Sequence, residues 1–210
     1  MKTELENVTP YEIEKRSMEI ISQELCAIGI TLDKEKEPVI KRAIHASADF
    51  DYAQNLYFSE NVIQKALELL KNGTSIVTDT KMALSGINKK ALSRHGIKAY
   101  NFIDDEDVAA SAVWNNTTRS AACIDKAVAM DTPVIFVIGN APTALVRIYE
   151  LYNGGIFKPA LVIGVPVGFV NVVQAKELII QTGIPCIISR GRKGGSNIAA
   201  AICNALLYML

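Results

Sequence analysis

The chain has only two histidines, and one of them, His45, lies in the stretch KRAIHASADF. Imidazole is the side chain suited to giving and taking protons near neutral pH. A helix through this stretch, at about 100° per residue, gathers Val39, Ile40, Ala43 and Ser47 on one side. His45 points roughly the opposite way. Lys41 and Arg42 before it and Asp49 after it, at helical spacing, share its face. The pattern argues against a buried core histidine. It leaves a solvated residue, or one lining a second surface such as a cleft or a subunit contact. Ala46 and Ala48 are small enough to admit something bulky. His95, in LSRHGIK, precedes Gly96 at a helix end, where an imidazolium complements the last carbonyls, and it reads as structural.

A second chemistry is anion recognition. SRGRKGGSN sets Arg190, Arg192 and Lys193 among Gly191, Gly194 and Gly195, just before a helical pattern. Guanidinium forks and helix N-termini both prefer carboxylates or phosphates; the competing reading is a solvated turn. Neither GxxxxGK[ST] nor GxGxxG is present. In GNAPTAL, Asn140 is a plausible cap and Pro142 suits the first helical position, so a well-capped turn explains it unaided. In NTTRSAA, Arg119 near a helix start opposes the dipole, which points to a ligand or carboxylate partner. Cys26, Cys123, Cys186 and Cys203 are far apart and form no zinc spacing. No Ser-His-Asp arrangement is signposted.

These residues need a frame to hold them. Runs at 75–79, 97–102, 133–139, 160–167 and 185–190 are rich in β-branched residues, three of them apolar almost throughout, as in strands buried on both faces. Helical patterns occupy 11–25, 33–47, 60–73, 118–130, 142–154, 172–183 and 196–210, with Asp33 as a possible N-cap and Gly73 as a stop. Alternation from residue 60 onward predicts a single α/β domain over 1–210, three layers (α/β/α) around a mostly parallel sheet. The first 50 residues read as helices covering part of that sheet. Ligands of such sheets collect at the carboxyl ends of strands, where TDTKMALSG, GNAPTAL, GVPVGFVN and SRGRKGGSN fall.

Charge sets further bounds. Lys and Arg total 22, as do Asp and Glu, so no general pull toward nucleic acid or membrane is expected. The longest apolar runs are broken by Gly and Pro and too short to span a bilayer. The polar start, with Glu4 and Glu6, does not read as a secretory leader, and the cytoplasm is the expected address.

KRSMEII, RAIHASADF, TDTKMALSGI, NTTRSAA, IGNAPTAL, GVPVGFVN and SRGRKGGSN occur in the order found in the precorrin-8X methylmutase family, which this sequence resembles from about residue 10 to the C-terminus. The combination of GNAPTAL, GxPVGFV and RGRxGGS is highly specific. The resemblance implies an isomerase of cobalamin biosynthesis that moves a methyl group between adjacent carbons at ring C of precorrin-8 or cobalt-precorrin-8, giving hydrogenobyrinate or cobyrinate. It implies a homodimer whose corrinoid substrate sits in a cleft shared by the subunits. It makes His45 the catalytic residue and Ser17 and Arg42 substrate contacts, with Arg16, Thr78, Asp79, Arg119, Asn140, Arg190 and Arg192 as further cleft candidates. No cofactor and no protein-bound metal are expected; any cobalt arrives inside the substrate. Ala48 stands where the family often has Gly, which narrows the cleft slightly. The alternatives are a non-catalytic corrinoid carrier with the same cleft, and a nucleotide- or phosphosugar-binding enzyme with its phosphate site at 190–196.

Overall fold

The computed structural model describes residues 6–130 and 132–210, so Glu4 lies outside the described part. Six strands form one sheet: β1 (Leu56–Phe58), β2 (Ser75–Thr78), β3 (Ala99–Tyr100), β4 (Val134–Ile138), β5 (Leu161–Gly164) and β6 (Cys186–Ser189), in the order β1-β6-β5-β4-β2-β3. β2 to β6 run parallel, and β1 pairs antiparallel with β6 at the edge. The period of two in a strand sorts the side chains. Ile135, Val137, Leu161, Ile163 and Ile187 face one core, and Val134, Phe136, Ile138, Val162 and Ile188 face the other. Both faces are covered, so the central strands read as continuous apolar runs.

The second core is covered by α8 (Arg119–Val128), α9 (Pro142–Asn153) and α10 (Val172–Gln181). The first is covered by α4 (Val62–Lys71), α5 (Lys81–Gly86), α6 (Lys89–Arg94) and above all α11 (Ser196–Tyr208), buried at nine positions. α1 (Ile13–Ala27) and α2 (Glu37–Ser47) add an outer layer. The expectation that the first 50 residues cover the sheet is corrected in this respect: α2 rests chiefly on α11, which itself lies on the sheet. α2 and α11 run antiparallel, because Arg42 stacks on Tyr208 at the end of α11 while the Ala46 carbonyl meets Asn197 at its start.

All five expected strands are shorter than read, two of them by half or more. The run at 97–102 yields only Ala99–Tyr100, because the Asn101 side chain turns back to donate to the Thr78 carbonyl at 2.7 Å. The run at 160–167 stops at Gly164, just short of Pro166, which has no N–H for a ladder. The capping expectations are also revised. Lys36, not Asp33, sits at the N-cap of α2, and Asp33 caps the turn before it through the N–H groups of Glu35 and Lys36. Ala141 occupies the N-cap of α9 rather than Asn140, while Pro142 opens the helix as read. Among the described residues, no helix is long and apolar enough to cross a membrane.

Candidate functional site

His45 sits in the last turn of α2. Val39, Ile40, Ala43 and Ile44 turn inward, and His45 stays exposed on the outer face. An ion pair between Lys41 and Glu37, one turn apart, supports the helix. Its end is tightly tied. The Ala48 N–H donates to the Ile44 carbonyl at 2.7 Å with Ala48 in the left-handed region, φ 54°. The Ser47 hydroxyl donates to the Ala43 carbonyl at 2.8 Å and accepts from the Asp49 N–H at 3.2 Å. The Asn197 amide donates to the Ala46 carbonyl at 3.2 Å. These bonds use carbonyls that a helix end otherwise leaves free.

Beside His45 runs a groove of about 230 Å³, lined by Ser17 and Ile20 from α1 and by Ile44, Ala48 and Phe50. The Ser17 hydroxyl donates to the Ile13 carbonyl at 2.8 Å, so its oxygen still accepts. The structure thus brings His45 and Ser17 into one depression. Arg16 and Arg42 belong to the same helix pair. Arg42 Nη2 donates to Glu14 at 2.7 Å, and its guanidinium lies 5.1 Å from the Tyr208 ring. Arg16 Nε donates to Glu6 at 2.6 Å. Both acidic partners are exposed, so these ion pairs contribute little and cost little to break.

The SRGRKGGSN loop joins this region through Lys193, whose ammonium lies 2.7 Å from Asp49 and 2.5 Å from Asp51, just past the end of α2. Arg190 stacks on Tyr57 at 5.1 Å and Arg192 on Phe169 at 5.4 Å, both with exposed side chains. Arg119 opens α8, exposed and without an ion-pair partner among the described residues. Asn140 stands just before α9; a concavity of about 480 Å³ on that side is lined by Thr117, Pro142, Thr143 and Val170 but by neither Arg119 nor Asn140.

Thr78 and Asp79 take a different part from the cleft contacts they were read as. Thr78 is fully buried, and its hydroxyl donates to backbone carbonyls of Thr80 and Tyr100. Asp79 is 2% exposed. Its Oδ1 accepts from the Gly139 N–H at 2.8 Å, and its Oδ2 from the N–H groups of Asn140 and Ala141 at 2.8 and 2.7 Å. Burial pushes the carboxyl pKa up, and the three N–H groups pull against that rise. Asp79 therefore fills the crevice between β2 and β4, where the strand order reverses and a ligand would ordinarily enter. A solute reaches neither side chain.

Sequence reasoning missed three supports: Tyr208 under Arg42, Asn197 on the end of α2, and Lys176 beneath the glycine-rich loop. Lys176 left a readable signal, a lysine in the apolar stripe of Val172, Ala175 and Ile179. Among the described residues, no three His, Cys, Asp or Glu side chains cluster as a metal would require.

The precorrin-8X methylmutase family model matches residues 12–209. A cobalt-precorrin-8 methylmutase of Leptospira interrogans is 44% identical over 205 residues, covering 94% of this chain and 92% of the relative. One from Salmonella typhimurium is 45% identical over 175 residues, covering 83% of this chain and 81% of the relative. The crystal structure of a precorrin-8X methylmutase from Thermus thermophilus superimposes with a TM-score of 0.85 at 33% identity, over 94% of this chain and 96% of that one. The sequence motifs, the fold and these matches agree: the chain belongs to the precorrin-8X methylmutase family and is an isomerase of cobalamin biosynthesis.

Proposed function

We propose that the chain moves a methyl group between adjacent carbons at ring C of cobalt-precorrin-8 or metal-free precorrin-8, giving cobyrinate or hydrogenobyrinate. His45 acts as the acid, protonating the conjugated macrocycle or hydrogen-bonding a ring nitrogen. Either act draws electron density through the ring, so that the methyl shifts within one molecule. The reaction is an isomerisation, so no net proton is gained or lost overall. Ser17 and Arg42 bind beside the imidazole. Arg16, Arg119, Asn140, Arg190 and Arg192 meet the substrate's peripheral acetate and propionate groups, for which guanidinium forks are well suited. Thr78 and Asp79 hold the strand ends rather than the substrate.

The observation that carries this reading is His45 itself. Its imidazole is exposed on the outer face of α2, in one groove with the Ser17 hydroxyl. The groove, about 230 Å³, is smaller than the roughly 300–1,000 Å³ of ordinary small-molecule sites. A tetrapyrrole therefore needs more wall than this depression gives, and a second copy of the chain supplies it in a shared cleft. Exposed Val167, Phe169 and Val170 offer apolar surface for that contact. Sedimentation as a monomer under assay conditions would refute the shared cleft. The cytoplasm, where the pathway's other soluble intermediates would be at hand, is the expected location.

The deciding experiment is absorbance spectroscopy of wild type and His45→Ala with precorrin-8, metal-free and cobalt-loaded. Wild type converts the spectrum; the variant binds and converts roughly 10²- to 10⁴-fold more slowly, the usual weight of a general acid. Equal rates remove the proton role. Binding without conversion by wild type is the carrier outcome.

A further inference from the structure

Among the described residues, Lys176 is the one lysine that is fully buried. It lies on the apolar stripe of α10, beside Val172, Ala175 and Ile179. No carboxylate pairs with it among the described residues; its Nζ donates instead to the carbonyls of Gly191 at 2.8 Å and Lys193 at 2.9 Å. Burial alone draws the ammonium pKa down to about 8. Placing a cation there is unfavourable unless its hydrogen bonds have structural work, and the surrounding bonds indicate what it is.

The segment it holds is the glycine-rich loop. Three successive carbonyls of that loop are tied inward. Those of residues 191 and 193 take Lys176, and that of Arg192 takes the Gly168 N–H at 3.1 Å. The Lys193 carbonyl also accepts from the Ser189 hydroxyl at 2.8 Å. The loop lies so close to the β5–α10 connection that a Cβ on Gly194 would fall 2.1 Å from the Val165 carbonyl oxygen. With the carbonyls turned in, the side chains of Arg190, Arg192 and Lys193 are exposed on the outside. Lys193 then clasps Asp49 and Asp51, four and six positions past His45.

We infer that Lys176 is the positioning residue of the 190–193 loop, fixing from beneath the two arginines that receive the substrate's carboxylates and the Lys193 clasp on the end of the His45 helix. This rests on the reading of that loop and of His45 as parts of the site. Lys176 touches no substrate; it acts through the loop backbone.

The test compares wild type with Lys176→Met, which keeps the chain length and apolar body while losing the donors. Limited trypsin digestion reports the loop directly, because Arg190, Arg192 and Lys193 are all cleavage points. The variant is expected to be cut within 190–193 about tenfold faster than wild type. Its KM for cobalt-precorrin-8 should rise about tenfold while kcat changes far less and the melting temperature at pH 7 holds. Cleavage at the wild-type rate overturns the role of Lys176. Faster cleavage with unchanged kinetics leaves Lys176 in charge of the loop but removes the loop from the site. Should Lys176→Met not fold, Asp49→Asn with Asp51→Asn, both near the surface, frees the clasp instead. Trypsin must then cut after Lys193 faster than in wild type, and an unchanged rate overturns the proposed linkage.

Discussion

Asp79→Asn isolates the contribution of one buried carboxylate to the strand ends that frame the site. The native side chain serves three N–H groups with two oxygens: Oδ1 takes Gly139, and Oδ2 takes Asn140 and Ala141. Asparagine has one oxygen. Set at the Oδ2 position, it keeps two bonds in weaker, uncharged form and turns its own amide hydrogens toward the Gly139 N–H. An unpaired buried donor costs roughly 1–3 kcal/mol, and a charged acceptor adds about 1 kcal/mol over a neutral one. Relief of the buried charge, whose cost appears as the upward push on the carboxyl pKa, offsets part of this. The net is ~2–3 kcal/mol of lost stability. For a chain of 210 residues, each kcal/mol moves the melting temperature by about 2–4 °C, so the variant should melt roughly 5–10 °C lower. Asp79→Ala strands all three donors, a loss of roughly 3–9 kcal/mol that rivals the whole stability of a domain. Thermal melts by circular dichroism supply the first number, and hydrogen exchange at residues 139–141 locates it. An Asp79→Asn melt within 2 °C of wild type, with those amides still protected, would sink the account of Asp79 as the plug of the crevice.

Two further outcomes follow from positions already described. Ala48 holds φ 54°, a region that costs an L residue about 1 kcal/mol, so Ala48→Gly should stabilise the protein by ~0.5–1 kcal/mol in urea titration while widening the groove; a destabilised variant would contradict the strain. Lys176 gives a pH signature. Its folded pKa, about 8, lies below its ordinary 10.5, so between these values the unfolded chain holds a proton that the native chain lacks. Stability attributable to this group therefore rises with pH across that window. From pH 7 to pH 10, wild type should gain roughly 2–3 kcal/mol relative to Lys176→Met, read by urea unfolding of both. Parallel pH profiles would mean the ammonium is not burdened by burial.

The parts legible in the sequence were those governed by local periodicity. β4, β5 and β6 declared themselves as apolar runs between glycines and prolines, because both faces of each are covered. The outward turn of His45 followed from helical spacing alone. Ile44, next to it, is buried although the narrow stripe did not include it, since α2 packs on both α11 and α1 and buries a wider face. β1 was invisible: three residues carry no alternation to read, and its pairing is set by β6, more than a hundred residues away. α7 (Glu106–Trp114) was invisible for another reason, with Val108 and Ala112 inside but Val113 and Trp114 outside, so its apolar residues mark no single face. The family resemblance places Asp79 among the cleft candidates, within the TDTKMALSG motif at the end of β2. Only the fold reveals that its oxygens turn into the backbone of a neighbouring strand end.

The burial of Asp79 bears on where the proposed site lies. In an open parallel sheet the ligand belongs at the carboxyl ends, in the crevice where strand order reverses. Here Asp79 occupies that crevice, and α11 closes in above it: a Cβ on Gly139 would stand 2.7 Å from the Ser196 Cα. Access to the strand ends is therefore shifted outward by one helix layer. α11 begins at the carboxyl end of the sheet, and α2 lies antiparallel upon it, so the C-terminus of α2 returns to the same rim. The end-to-end opposition of the two helices is itself favourable, setting the negative end of one beside the positive end of the other. His45 thus stands at the carboxyl edge of the sheet but on an outer surface, and under the proposed function that surface, rather than the filled crevice, is where a tetrapyrrole would lie.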